Sequence, residues 1–116
     1  NGKHRGGLGA IYEIELLEES ATAFLFGERG KFPPLGVVGG EAGALNSFSY
    51  DCDDLDAIDG KKTPELVSKI TGIKLKKGQR VRLETPGGGG YGKVNERPTS
   101  FHENDVAQGY VTGTNK

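Results

Sequence analysis

At 116 residues the chain can hold one modest hydrophobic core and is too short for two. Its 15 basic and 16 acidic residues leave a net charge of −1. That balance excludes the basic field that nucleic acid or an anionic membrane face requires, and no apolar run approaches the ~18–20 residues of a membrane span. Twenty glycines, separated by apolar runs and without a Gly-X-Y register, describe a globular domain with many tight turns rather than a collagenous or disordered chain.

Residues 1–9, NGKHRGGLG, read as a polar, glycine-rich loop. AIYEIELLEE then alternates, with Tyr12, Ile14 and Leu16 on one face and Glu13 and Glu15 on the other, the two-residue period of a half-buried strand. TAFLFGE follows as the expected hairpin partner of that strand. Pro33, Pro34, Gly36, Gly39, Gly40 and Gly43 exclude a long regular element from KFPPLGVVGGEAG. DCDDLDAIDGKK reads as an acidic loop closed by a turn at Asp59-Gly60. Two further β-like runs come next, one with Ile70, Ile73 and Leu75, the other with Val81 and Leu83 alternating with Arg80, Arg82 and Glu84. KKGQ between them is the pattern of a hairpin turn. TSFHENDVAQGYV predicts one short helix, with Ser100 and Glu103 as a capping box and Gly109 as its stop. The expected fold is therefore mostly β (antiparallel hairpins, sandwich- or barrel-like) with glycine-rich loops and one short C-terminal helix, in a single domain over 1–116.

The cysteine count adds a compartment. Cys52 is alone, which excludes an internal disulfide and fits a reducing, cytoplasmic setting, and nothing resembles a signal peptide. No methionine occurs, even at position 1, so a piece of a longer polypeptide is expected.

The candidate site is the run TPGGGGYGKV. Gly87, Gly89 and Gly92 satisfy the dinucleotide pattern G-x-G-x-x-G, but Asn95-Glu96-Arg97-Pro98 follows where a helix must open onto the pyrophosphate. The kinase glycine loop also fits, yet only 22 residues remain for all later kinase elements. The P-loop pattern fails at Val94, which stands where a metal-binding hydroxyl belongs. Two readings stay open. The glycines let the backbone turn or approach another backbone closely, or the amides of Gly87, Gly88, Gly89, Gly90 and Gly92, with Lys93, Arg80 or Arg82, bind an anion or phosphate outside any standard motif.

Other constellations are weaker. Asp51, Asp53, Asp54, Asp56 and Asp59 lack EF-hand spacing, since Leu55 or Ile58 falls on a ligand position. His102-Glu103 begins the zinc motif H-E-x-x-H, but residue 106 is Val106, and His4 and Cys52 are the only other strong ligands. No metal site and no catalytic residue is expected in this chain.

Taken together, RGGLGAIYEIEL (5–16), ERGKFPPLGVVGGEAG (28–43), SKITGIKLKKGQRVRLETPGGGGYG (68–92) and DVAQGYV (105–111) resemble, in that order, the C-terminal region of the hydantoinase B/oxoprolinase family. Lys93 stands where that family usually has aspartate, and Leu35 where a tryptophan is common after the two prolines. The resemblance implies a cytoplasmic subunit acting with, or fused to, a hydantoinase A-type, ATP-handling partner. Such enzymes use ATP to activate a cyclic amide, as in hydantoins or 5-oxoproline, so that water opens the ring; ketone carboxylases share the framework. ATP and a divalent metal are implied for the parent assembly, and none for this chain. The implied role is a structural or interface domain, not active alone. A glycine-loop anion site contributed to a shared active centre, and a free-standing peptide-binding β module, are the alternatives.

Overall fold

The structure is a computed structural model and describes residues 1–111. They form two compact units. One gathers Asn1–Leu8, Pro34–Gly43 and the chain from Gly87 onward; the other comprises Gly9–Pro33 and Ala44–Pro86. Among the described residues the fold is mostly antiparallel β, with six strands and one short helix: β1 (Ile11–Glu15), β2 (Ser20–Phe26), β3 (Ser47–Asp51), β4 (Lys61–Lys62), β5 (Lys69–Lys76), β6 (Arg80–Glu84) and α1 (Thr99–Ala107).

All six strands lie in the unit built from 9–33 and 44–86. The four strands expected from alternation are present, but their partners differ from the expectation. β1 and β2 do not form a hairpin, nor do β5 and β6. Instead β1 pairs with β6 and β2 with β5, both antiparallel. The two pairings run in nearly one register, Glu15 opposite Arg80 and Ser20 opposite Lys76, so they are two halves of one long ribbon bent at a corner. The ladder continues through the bend: the amide of Leu16 donates to Gln79 O at 2.9 Å, that of Gly78 to Leu16 O at 2.8 Å, and that of Lys77 to Glu19 O at 3.2 Å. Gly78, at φ +86°, takes the left-handed conformation the corner needs. KKGQ does close a turn, with Gln79 N–H donating to Lys76 O at 3.0 Å, but its other backbone partners come from residues 16–19, so it turns a ribbon and not a hairpin.

β3 joins the other side of β6, and β4 pairs with β3, giving a sheet of order β1-β6-β3-β4. Sequence reading missed β3, although Phe48 and Tyr50 alternate with Ser47 and Ser49. The β3–β4 connection does end in the expected turn. Asp59 (φ +51°) and Gly60 (φ +73°) are both left-handed, and Ile58 and Lys61 exchange two backbone hydrogen bonds across them. That is the two-residue turn whose twist matches a hairpin.

The β2–β5 half of the ribbon supplies the second layer. Phe48, Ile73 and Leu75 are buried between the layers, with Leu16, Ala23, Leu25, Tyr50, Ile70, Val81 and Leu83 packed around them. The opposite face of the four-stranded sheet is a charge ladder. Arg80 reaches Glu13 (3.3 Å) and Glu15 (3.1 Å), and Arg82 reaches Glu13 (3.4 Å) and Glu84 (2.8 Å). Glu13 stands directly opposite Arg82, and Glu15 opposite Arg80.

The other unit has little regular structure apart from α1 and a 3-10 turn at Val94–Glu96. The helix starts one residue before the expected N-cap. Pro98 holds that position and no side chain caps it, so the Ser100–Glu103 capping box does not form. The stop does form: Gly109 (φ +72°) donates to Val106 O and Tyr110 to Asp105 O, the pair of bonds that closes a Schellman end. The helix buries one residue, and it is charged, Asp105.

Val38 (φ +53°) and Gly39 (φ +87°) make a tight turn closed by Gly40 N–H to Val37 O at 3.0 Å. A β-branched residue is poorly suited to that backbone, which costs about 1–2 kcal/mol in an L-residue. Replacing the exposed Val38 by glycine or asparagine is expected to raise stability by up to about 1 kcal/mol, measured by urea denaturation.

Candidate functional site

The glycine run belongs to the unit that carries α1. Three glycine-rich segments meet there, 1–8, 34–43 and 87–92, and they meet backbone to backbone. The amide of Gly88 donates to Gly7 O, Gly90 to Glu41 O, Tyr91 to His4 O and Gly92 to Val37 O, all at 2.9–3.0 Å. In return Gly90 O accepts from Val37, Tyr91 O from His4 and Gly92 O from Lys3. Four amides of the run are therefore already committed to carbonyls. Those of Gly87 and Gly89 make no backbone hydrogen bond among the described residues.

The spacing between these segments leaves no room for side chains. A Cβ on Gly89 would fall on the Leu35 carbonyl, one on Gly90 on the Asn1 carbonyl, and one on Gly40 on the Gly90 carbonyl. Gly6 faces Gly88 in the same way, and a Cβ on Gly43 would come within 2.8 Å of Gly87 O. Glycine is required here for close approach; at Gly92 it is also required by a φ of +74°. Lys93, the charged residue that ends the run, is exposed and leads into the 3-10 turn.

The ionic centre of this unit is elsewhere. Asp105, 5% exposed, receives Arg97 Nη2 at 2.5 Å, and Arg5 Nε lies 3.2 Å from the same oxygen. Arg5 is close enough for an ion pair but not aligned as a hydrogen bond. Arg97 also donates to Lys3 O at 3.0 Å, and the two guanidinium groups lie over the rings of Tyr110 and Phe101. Nothing in the sequence pattern pointed to this cluster, because its three members lie 92 and 8 residues apart and each looks like an ordinary surface charge.

In the sheet unit, Arg80 and Arg82 are engaged by the carboxylates of the charge ladder. The acidic loop is likewise neutralised from within its own unit. Lys62 Nζ bridges Asp54 (2.7 Å) and Asp56 (2.6 Å), and Lys76 Nζ holds Asp53 at 2.6 Å. Hydrogen bonding to these aspartates raises Lys62 and Lys76 above the ordinary lysine value, and Lys62 holds Asp56 below the usual carboxylate range. Asp56 favours the folded loop above its unfolded pKa and loses that effect as pH falls through its depressed folded value. Lys62 contributes fully below the ordinary lysine value, so the neutral range is flat. Carbon-detected NMR is expected to show Asp56 titrating below a free aspartate in the native chain, and closer to the ordinary value in Lys62→Ala, where the Lys62 hydrogen bond is lost.

No group of three or more His, Cys, Asp or Glu among the described residues could hold a metal ion. No helix among these residues is long and apolar enough to cross a membrane.

Comparisons with known proteins agree in direction. The hydantoinase B/oxoprolinase family model matches residues 1–94. An uncharacterized protein of Methanocaldococcus jannaschii is 39% identical over 106 residues, covering 90% of this chain and 17% of that protein. The caprolactamase subunit beta of Pseudomonas jessenii is 31% identical over 111 residues, 96% of this chain and 19% of the relative. The 5-oxoprolinase of Saccharomyces cerevisiae is 29% identical over 98 residues, 82% of this chain and 7% of the enzyme. The chain therefore spans less than a fifth of the length of these curated relatives. No solved structure matches it. With most of its length matched by the family model and its glycine segments in the expected order, the chain belongs to the hydantoinase B/oxoprolinase family.

Proposed function

We propose that residues 1–116 act as a structural and interface domain, from the C-terminal region of a cytoplasmic subunit in an ATP-dependent cyclic-amide hydrolase, and are not active alone. The relatives' names support the reaction class. Caprolactamase and 5-oxoprolinase both denote opening of a ring at its amide bond, and "subunit beta" denotes a multi-chain enzyme. ATP and a divalent metal are assigned to the rest of that assembly, including a hydantoinase A-type partner.

The observation that carries this reading is the exposure of apolar residues along β1. Tyr12 and Ile14 share the core-side face of their sheet with Val81 and Leu83 yet are 60% and 64% exposed, since the second layer does not cover them. Large apolar side chains left in water on an edge strand suit a surface that is covered in a larger protein. The test uses Ile14→Glu. In the 116-residue chain it is expected to leave stability within about 0.5 kcal/mol, and in the intact protein to break the association of this domain with the remaining polypeptide. Ring opening by the 116-residue chain alone, supplied with MgATP and a cyclic amide, would overturn the reading.

A second reading is favoured by the two uncommitted amides, Gly87 and Gly89, close in sequence to exposed Lys93. It makes the run one side of an anion site completed by another part of the assembly. Titrating the labelled chain with inorganic phosphate should then shift Gly87, Gly89 and Lys93 while Gly88, Gly90 and Gly92 stay fixed. Absence of those shifts removes this reading.

A further inference from the structure

β2 is built inside out. Its small residues, Ala21 and Ala23, face the core together with Leu25, while Thr22, Phe24 and Phe26 face outward, the two phenylalanines 63% and 69% exposed. A slip of one residue would put both rings inside. The register adopted instead matches Ala21 to Leu75 and Ala23 to Ile73, and leaves the largest apolar side chains of the strand in water.

Across from these rings stand lysines. Lys69 is opposite Phe26, its ammonium 5.8 Å from the ring centre, and Lys74 is opposite Thr22, to whose hydroxyl it donates at 3.2 Å. Neither has a carboxylate within ion-pair distance among the described residues, whereas Lys62, Lys76, Arg80 and Arg82 all do. Between the two lysines β5 carries one extra residue opposite Phe24. Gly72, at φ +72°, sits in that bulge with nothing within 4 Å of where a side chain would begin. A glycine bulge of this kind opens a place where another chain can approach the backbone.

We propose that this outward face of β2 and β5 is a docking surface for an acidic segment with aliphatic side chains, contributed by polypeptide outside residues 1–116. The proposal rests on the interface-domain reading and names a second covered face, distinct from the edge at β1. Phe24, Phe26 and the Gly72 bulge take the aliphatic side chains, and Lys69 and Lys74 take the carboxylates. The pattern of exposed rings beside lysines also suits a single-stranded nucleic acid. A net charge of −1 and the absence of arginine from both strands favour the acidic protein segment.

The test compares the intact protein in its natural assembly with the 116-residue chain, by hydroxyl-radical footprinting and by carbodiimide coupling of lysines to touching carboxylates. The expected result is about a tenfold slower oxidation of Phe24 and Phe26 in the assembly, as for rings in the dry centre of an interface, with Lys69 or Lys74 coupled to an aspartate or glutamate outside residues 1–116. Charge reversal, Lys69→Glu with Lys74→Glu, is expected to weaken association about tenfold and leave the isolated chain folded. If Phe24 and Phe26 stay reactive while Tyr12 is protected, the docking proposal falls and the interface-domain reading stands. If all three stay reactive, both fall. Rings protected without lysine coupling, and released by nuclease, would assign the face to nucleic acid and overturn the proposal.

Discussion

Gly40→Ala is expected to unfold the glycine-packed unit, with a loss beyond the roughly 3 kcal/mol that bounds most single substitutions. Gly40 does not have a left-handed φ, so alanine meets no intrinsic backbone objection there. The cost comes from one atom, because the new Cβ lands on the carbonyl of Gly90. That carbonyl cannot retreat cheaply, since it accepts the Val37 amide at 2.9 Å, and the N–H of the same peptide, that of Tyr91, is tied to His4 O at 2.9 Å. Moving it would break hydrogen bonds on both sides of one peptide. Gly7→Ala is the control in the same unit: nothing lies within 4 Å of its Cβ position and its φ is not left-handed. Alanine there is expected to be neutral, or stabilising by about 0.4–1 kcal/mol through the unfolded chain. Chemical denaturation of the two variants decides the matter. Near-equal stabilities would mean that the glycine segments do not pack as tightly as the contacts require.

The second large effect is expected at Asp105. Replacing it by alanine leaves Arg97 and Arg5 without their shared carboxylate, in a place where their side chains are only 13% and 26% exposed. Removing one partner of a buried ionic cluster typically costs about 3–5 kcal/mol, because the remaining charge is left unsolvated. The helix should go with it. α1 buries no apolar residue, so its attachment runs through Asp105 rather than through a hydrophobic stripe. The variant is expected to lose helical circular dichroism along with stability, and Asp105→Asn, which keeps an acceptor oxygen but not the charge, is expected to lose less. Full helicity in Asp105→Ala would show that the Schellman end and the flanking turn suffice.

These two variants also separate the roles of the glycines and the charges. Gly40 lies outside the run that resembles phosphate-binding loops, yet it is packed against it. An effect of Gly40→Ala on folding assigns the run's glycines to close approach, and leaves only Gly87 and Gly89 with amides to offer a ligand.

Sequence alone determined which residues form most strands, where the acidic loop turns and where the helix stops. Each of those follows from a local rule: a two-residue period in Tyr12, Ile14 and Leu16, left-handed backbone at Asp59-Gly60, and a C-terminal glycine at Gly109. The family resemblance was legible for the same reason, as it lies in the order of short glycine motifs. Pairing was not legible. KKGQ suits a hairpin turn by every local criterion, and only the register shared by 11–26 and 69–84 makes it a corner. Alternation likewise marks β2 as a strand without saying which face is inward, and by hydrophobicity it points the wrong way for Phe24 and Phe26. The glycine run had two open meanings until its neighbours were known, because Gly40 and Gly90, or Gly6 and Gly88, are far apart along the chain. Local chemistry settles conformation within a few residues; contacts at that separation depend on which backbones the whole fold brings together.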